Sequence, residues 1–125
     1  MAAPPGFSRE TRIRRDRRGQ WFEGNEPVTN PAIASAFDRW IDLAPDGRYC
    51  LRNSVNWAYV EIEGAPIFVR SLDVQEDGIE LHLSDGRSER LDPSTLSADS
   101  EGLLHCLVRD RSMSAAFTNG SLMQL

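Results

Sequence analysis

Residues 30–43 read Asn-Pro-Ala-Ile-Ala-Ser-Ala-Phe-Asp-Arg-Trp-Ile-Asp-Leu, the clearest helical pattern in this 125-residue chain. Asn30 is a favourable N-cap, and Pro31 takes the first helical position, where its missing N–H costs nothing. The apolar side chains at the spacing of one helix face are Ile33, Phe37, Trp40 and Ile41. The pattern predicts a helix over about residues 31–43. We expect Phe37 and Trp40 to anchor it to a sheet, each at about 3–5 kcal/mol if fully buried.

The periodicity changes to two after this helix, which is typical of strands. Residues 57–63 alternate, with Ala58, Val60 and Ile62 on one face and large or charged side chains on the other. Asp-Gly pairs at 77–78 and 85–86 predict tight turns between short strands. The strands predicted after the helix are 49–52, 57–63, 67–74, 79–83, 87–91 and 103–108. Weaker patterns predict short strands at 10–15, 21–23 and 26–28.

Short helical segments complete the prediction. A single turn is predicted at 93–96, and Ser112 is a candidate cap for a short helix over residues 113–117, which Asn119-Gly120 would end. The elements predict an α+β fold, in which a small antiparallel sheet with one amphipathic helix precedes a strand-rich half closed by short helices. We predict a disordered leader over 1–8, an N-terminal α+β half over 9–64 and a C-terminal strand-rich half over 65–125.

Charge is unevenly distributed along the chain. All 14 basic residues are arginine, against 19 acidic residues, so Schiff-base and P-loop lysine chemistry are excluded. Residues 1–18 carry six arginines against Glu10 and Asp16, a net of +4, and the rest of the chain carries −9. The acidic body makes nucleic-acid binding unfavourable. We predict that the basic arm, residues 9–18, forms a solvated edge strand and contributes little to stability, because only Ile13 in it is apolar. Contact of the arm with phosphate, an anionic membrane or the acidic body is the alternative.

The residue types of catalytic and metal sites are sparse. Cys50 and Cys106 have no CxxC spacing, and His82 and His105 are too scattered for a zinc motif. Neighbours on a strand point to opposite faces, so His105 and Cys106 are not expected to pair. We therefore predict no cofactor, no metal and no enzymatic activity. No apolar run reaches membrane-spanning length and no signal-peptide pattern precedes the body, which indicates the cytoplasm.

Anion binding would rest on arginine, since the chain has neither a GxGxxG loop nor a P-loop. The candidate residues lie on predicted strands or at their ends: Arg48, Arg52, Arg70, Arg109 and Arg111. We expect Arg109 to contribute to an anion site, because it ends the last strand just before a predicted helix N-terminus. The alternative is that each is a surface ion-pair partner of the acidic body.

Two aromatic residues share the charged face of one predicted strand. Trp57 and Tyr59 alternate there with Glu61. They form a stacking surface for a base or a protein partner if that face is open. If the helix covers the face, both rings belong to the core, which is the interpretation we favour.

Four stretches together resemble the bacterial domain-of-unknown-function family DUF1285. They are residues 21–27 (WFEGNEP), 46–51 (DGRYCL), 60–66 (VEIEGAP) and 104–110 (LHCLVRD). The resemblance runs from about residue 12 to the C-terminus. It implies a duplicated core of two small α+β halves, the second loosely similar to a pleckstrin-homology domain. It also implies a nucleotide-like ligand in a cleft between the halves and a role in signalling.

Residues and resemblance together lead to one functional expectation and one alternative. We expect a small cytoplasmic, non-enzymatic sensory or signalling module that binds a small anionic ligand, with a nucleotide-like molecule as one candidate, between its halves. The alternative is a protein-interaction or adaptor module without a small-molecule ligand, which binds through the basic arm or the Trp57/Tyr59 face.

Overall fold

A computed structural model of the protein describes residues 8–124, so most of the predicted leader, residues 1–7, lies outside the described residues. The chain forms two compact units, Met1–Gly64 (unit 1) and Ala65–Leu125 (unit 2). Short strands dominate both units and there is one main helix, so the predicted α+β class is confirmed, with a strand-rich character. No helix among residues 8–124 is long and apolar enough to cross a membrane.

Unit 1 contains seven short strands and the main helix. In chain order its elements are β1 (Ile13–Arg15), β2 (Trp21–Glu23), β3 (Glu26–Pro27), α1 (Pro31–Trp40), β4 (Ile41–Leu43), β5 (Tyr49–Arg52), β6 (Trp57–Tyr59) and β7 (Glu61–Ile62). One sheet has the order β3-β2-β1-β7, and a second has the order β4-β5-β6. The strand predicted over 57–63 is therefore two strands. It breaks at the buried Val60 because β6 pairs with β5 whereas β7 pairs with β1.

Helix α1 begins as predicted and ends earlier. The Asn30 side chain accepts hydrogen bonds from the backbone N–H groups of Ala32 and Ile33, the geometry of an N-cap. The helix ends at Trp40, and Ile41–Leu43 forms β4, antiparallel to β5. The predicted end at residue 43 is wrong because Ile41 and Leu43 also satisfy the strand period. Pairing with β5 lets the chain bury Ile41 almost completely.

Strand β1 lies inside its sheet, between β2 and β7, so the prediction of a solvated edge strand in the basic arm is wrong. Arg15 is fully buried and donates to Asp38 of α1 over 3.2 Å. Trp21 donates its indole N–H to the same Asp38 oxygen over 2.9 Å. Burial of a guanidinium becomes possible because a carboxylate compensates it, and this carboxylate is 23 residues away in the sequence.

Unit 2 is built around one six-stranded sheet. Its elements are β8 (Ile67–Gln75), β9 (Gly78–Leu83), β10 (Ser88–Arg90), a 3₁₀ turn (Pro93–Thr95), β11 (Ser97–Ala98), β12 (Leu104–Val108), β13 (Met113–Phe117) and α2 (Asn119–Leu122). The sheet has the order β10-β9-β8-β13-β12-β11. The strands predicted at 67–74, 79–83, 87–91 and 103–108 and the turn at 93–96 are confirmed within one or two residues at each end.

The helix predicted over residues 113–117 is wrong. This segment is β13, parallel to β8 and antiparallel to β12, in the interior of the sheet. Met113, Ala115 and Phe117 alternate onto the buried face, and this period of two is the reason why the segment forms a strand and not a helix. The closing helix comes later, as α2, which Thr118 caps by accepting from the Ser121 N–H.

Candidate functional site

The structure places the seven predicted site residues in two groups. Unit 1 holds Arg48, Arg52, Trp57 and Tyr59, and unit 2 holds Arg70, Arg109 and Arg111. The first group shares one sheet face. Register in the β4-β5-β6 sheet pairs Cys50 with Tyr59 and Arg52 with Trp57, so these four residues point to the same side. Asp42 faces the same way because it pairs with Cys50.

Guanidinium groups lie over the rings on this face. The Arg9 guanidinium carbon is 3.9 Å from the ring centre of Trp57, and that of Arg48 is 3.6 Å from the ring centre of Tyr59. Arg52 lies 5.6 Å from the ring centre of Trp57. The two rings themselves meet edge to face, with centroids 5.1 Å apart. We call Arg9, Arg48, Arg52, Trp57 and Tyr59 the arginine–aromatic face.

Both rings are half-buried, so the expectation that they belong to the core is wrong. Helix α1 does not cover them, and arginine side chains lie over them instead. Arg9 joins the face through contacts that the sequence does not reveal. It donates to the carbonyl of Trp57 over 2.7 Å and to the Asn56 side chain over 2.8 Å. These partners are almost fifty residues away, so no local pattern could have shown them.

Carboxylates accompany the guanidiniums of the face. Arg48 and Glu10 form a two-point pair at 2.9 and 3.1 Å, and Arg52 bonds Asp42 at 3.2 Å. The hydrogen bond from Arg48 lowers the pKa of Glu10. All four of these side chains are more than a third exposed, so solvent screens each pair and its contribution to stability is small.

A phenol–carboxylate contact completes the face. The Tyr59 hydroxyl donates to Asp46 over 2.9 Å. That hydrogen bond is the main reason why the pKa of Tyr59 is raised. Desolvation tends to raise the pKa of Asp46, but hydrogen bonds from the Arg48 backbone and from Tyr59 outweigh it, and the pKa is lowered. Asp46 is therefore ionised at neutral pH and fixes the tyrosine ring.

The arginines of unit 2 do not join into one site. Arg109 bonds the buried carboxylate of Asp85 at 2.9 and 3.1 Å, and its backbone N–H donates to Glu89. Arg111 pairs with Asp92 at 2.7 Å, and Arg70 is an exposed residue of β8. The helix N-terminus that the sequence indicated after Arg109 is absent because residues 113–117 form β13, and carboxylates of the same chain pair with Arg109 and Arg111.

Other reactive groups in unit 2 have structural partners. His105 lies between Asp99, at 2.9 Å, and Ser114, at 3.4 Å. A second row, Asp73–His82–Ser88, repeats the same residue types across three other strands. Because the pattern occurs twice, it indicates cross-strand stabilisation by hydrogen bonds rather than a nucleophilic centre. Burial raises the pKa of the Cys106 thiol to about 11, so it is protonated at neutral pH. Among residues 8–124, no three His, Cys, Asp or Glu side chains gather into a metal site.

Unit 1 also contains an apolar cavity of about 270 Å³ that is open to solvent and whose Leu51 and Ala58 wall lies on the opposite side of the β4-β5-β6 sheet from Arg52 and Tyr59. Its wall is formed by Ile13, Phe37, Trp40, Leu51 and Ala58, and Asn53, Asn56 and Trp57 complete the lining. Sequence reasoning assigned Phe37 and Trp40 to the core. Both are half-buried and line this cavity. The apolar stripe of α1 was the one sequence feature that indicated an apolar surface here.

Two solved structures are similar to this chain over most of its length. A DUF1285 family protein from Silicibacter pomeroyi DSS-3 has a TM-score of 0.71 at 19% identity, covering 92% of this chain and 67% of that one. A DUF1285 family protein from Shewanella baltica OS155 has a TM-score of 0.67 at 16% identity, covering 90% of this chain and 87% of that one. This chain has their fold.

The DUF1285 likeness agrees with the family that the four sequence stretches resemble, so the resemblance is confirmed at the level of the fold. No family model and no curated protein matches the chain. The two similar structures are described by family alone, and the family is a domain of unknown function. The likeness therefore brings an architecture and no activity.

Proposed function

We propose that this protein is a cytoplasmic, non-enzymatic sensory or signalling module that binds a small anionic ligand, with nucleotides as the first class to test. The ligand site is the arginine–aromatic face of unit 1. One observation carries the proposal: three guanidiniums and two aromatic rings lie together on one sheet face, within direct contact of each other. The sensory role is an inference from the DUF1285 resemblance alone.

Ligand binding on this face proceeds by exchange. Phosphate oxygens replace the Glu10 carboxylate on Arg48, since a guanidinium binds phosphate and carboxylate through the same two-point geometry. A planar base stacks on Trp57 once Arg9 moves from the ring. The Arg48–Glu10 pair is exposed, so its loss costs little, whereas movement of Arg9 also gives up its part-buried hydrogen bonds to Asn56 and to the Trp57 carbonyl. The pair of Arg109 with Asp85 is buried and does not offer such an exchange.

The experiment is a calorimetric titration with AMP, ATP, pyrophosphate and inorganic phosphate. Arg48→Gln is expected to weaken binding about tenfold or more, because it removes a charge-assisted two-point contact. Arg90→Gln is the matched control: Arg90 is similarly exposed and pairs with the exposed Asp77, but it lies in unit 2. Equal effects of the two variants, or no binding of any anion at millimolar concentration, would overturn the proposal.

A second candidate is a protein-interaction or adaptor module that uses the same face. The observation in its favour is charge balance. Arg9, Arg48 and Arg52 are accompanied by Glu10, Asp42 and Asp46. A surface of mixed charge complements a protein better than it complements a multiply charged anion. A partner captured by the parent protein and lost with Trp57→Ser, while all anions fail to bind, would favour this candidate.

A further inference from the structure

The apolar cavity of unit 1 is the feature that the anion site leaves unexplained. Helix α1 presents its aromatic side chains Phe37 and Trp40 to this cavity while it buries the charged Asp38. Aromatic rings at a helix face usually pack against their own sheet. Here a space of about 270 Å³ remains between them and the Leu51 and Ala58 side of the sheet.

The lining defines the charge of an occupant. Every residue that lines the cavity is apolar, aromatic or an uncharged amide. A charged group placed there would gain no counter-ion from the lining and would lose hydration where it meets the apolar wall, so the occupant is neutral. The volume lies just below the range of drug-sized pockets, which limits the occupant to one or two rings.

The two asparagines at the rim define the polarity of an occupant. The Asn53 side-chain oxygen accepts from the backbone N–H groups of Val55 and Asn56. The Asn56 oxygen accepts from the Trp57 N–H and from Arg9. Both oxygens are thus used by the hairpin between β5 and β6. The side-chain N–H₂ groups remain as hydrogen-bond donors, so the rim complements an acceptor.

We propose that this cavity binds a neutral aromatic molecule of one or two rings that carries a carbonyl or ring-nitrogen acceptor. The ring packs against Phe37 and Trp40, and the acceptor takes a hydrogen bond from Asn53. The Leu51 and Ala58 wall of this site lies on the other face of the β4-β5-β6 sheet from the anion site, and Trp57 borders both sites. The cavity is chemically distinct, since no arginine lines it.

Three probes separate the elements of this proposal. Acetophenone is neutral, aromatic and carries an acceptor, ethylbenzene has nearly the same shape without the acceptor, and benzoate carries a charge. We expect acetophenone to bind roughly threefold to tenfold more tightly than ethylbenzene, the range of one neutral hydrogen bond. Benzoate is expected not to bind in the cavity. The readout is the indole N–H resonance of each tryptophan. That of Trp40, which lies outside the anion site, should shift with both neutral probes and not with benzoate, whereas that of Trp21, which bonds Asp38, should not shift with any of the three.

Two variants and one control variant test the assignment. Asn53→Asp retains the oxygen that accepts from Val55 and Asn56 and loses the donor, so acetophenone should lose its advantage over ethylbenzene. Asn25→Asp adds the same charge in the exposed turn between β2 and β3 and should leave the advantage intact. Ala58→Leu fills the cavity and should abolish binding of both probes.

Three outcomes would overturn the proposal. The first is the absence of a shift at Trp40 with either neutral probe. The second is equal affinity of the two probes in the parent protein, and the third is undiminished binding to a folded Ala58→Leu variant. If Ala58→Leu does not fold, the comparison of Asn53→Asp with Asn25→Asp decides. The Trp40 resonance reports on the cavity and not on the anion site, so failure of one proposal is distinguishable from failure of the other.

Discussion

The two units build their interiors from different side chains. All three tryptophans and both tyrosines lie in unit 1, where rings contact guanidiniums at several points. The interior of unit 2 is mainly aliphatic, with Ile67, Val69, Cys106 and Ala115 almost completely buried, and it also contains Phe117. Residues 8–64 carry nine arginines and nine acids, whereas residues 65–124 carry five arginines and ten acids. Unit 1 therefore combines aromatic rings with balanced charge, whereas unit 2 combines a mainly aliphatic interior with an excess of acidic residues.

Each unit nevertheless contains a buried ion pair, and the two pairs differ in which group is fully enclosed. In unit 1, Arg15 is fully enclosed and shares Asp38 with the indole of Trp21. In unit 2, Asp85 is fully enclosed and the side chain of Arg109 keeps 9% of its exposure. The enclosed group is the cation in one unit and the anion in the other. Loss of Asp38 therefore leaves the buried charge of Arg15 without this carboxylate. After loss of Asp85, in contrast, the Arg109 side chain can turn toward water.

The largest expected effect is that of Asp38→Ala, a loss of about 3–5 kcal/mol, because Arg15 remains buried without its carboxylate and Trp21 loses an acceptor. Asp85→Ala should cost less by about 1 kcal/mol or more. Urea denaturation of both variants measures this difference. Equal losses would show that the enclosed charge in the two units is equivalent.

The next effect compares two tryptophans of unit 1. Trp21 is 1% exposed, so Trp21→Ala should cost about 3–5 kcal/mol. Trp40 is half-buried beside the cavity, so Trp40→Ala should cost about 1–2 kcal/mol, less than the sequence led us to expect. Thermal and urea unfolding give both values. A Trp40→Ala variant as unstable as Trp21→Ala would mean that the cavity wall belongs to the core.

A smaller effect is expected at the turn between β12 and β13 in unit 2. Arg109, Asp110 and Arg111 have positive φ angles of 50°, 56° and 66°, which side chains with a Cβ rarely adopt. Asp110 is exposed, so Asp110→Gly should stabilise the protein by about 0.5–1 kcal/mol. Asp110→Val should destabilise it, since a branched side chain fits this region least. Opposite signs in the two melting temperatures are the expected result, and a gain from valine would contradict it.

The smallest effect is acid sensitivity. The pKa values of Glu10 and Asp46 in unit 1 and of Asp92 and Asp99 in unit 2 are lowered. The main causes of the lowering are hydrogen bonds from Arg48 to Glu10, from Ser94 to Asp92 and from His105 to Asp99. A carboxyl group with a lowered pKa stabilises the fold above its ordinary pKa, and this contribution is lost as the pH falls through the lowered value.

The melting temperature should therefore be level near neutral pH and fall below about pH 4, with a small share from each group. Glu10→Gln in unit 1 and Asp99→Asn in unit 2 each remove one of these stabilising contributions, so their melting curves allow the two units to be compared. A melting temperature that rises on acidification below pH 4 would contradict the sign of these contributions.

Local patterns predicted much of the fold. Asn30 and Pro31 placed the start of α1, and the Asp77-Gly78 and Asp85-Gly86 pairs placed the turns on either side of β9, because these features act through near neighbours. The end of α1 was missed, since the apolar spacing of Ile41 and Leu43 fits helix and strand alike. Strand β13 was missed for two reasons. Its partner β8 is remote in the sequence, and a turn of unusual φ angles separates it from its other partner, β12.

The candidate site was predicted in part for the same reason. Trp57 and Tyr59 share a strand, so their alternation was visible in the sequence. Arg9 and Glu10 complete the face from a distance of about forty or more residues, and no sequence period connects them to it. Burial of Arg15 was equally invisible, because a charged residue is compatible with the interior only where a remote carboxylate meets it.

The central position of β13 has a consequence for the protein during its synthesis. Among the strands of unit 2, β8, β9 and β10 are synthesised first, and they can pair as a meander at once. The edge of β8 that later receives β13 stays open until β11 and β12 have also been made. An open strand edge is a template for pairing with other chains. Nascent or truncated chains that end before Met113 should therefore be the forms that aggregate and depend on chaperones.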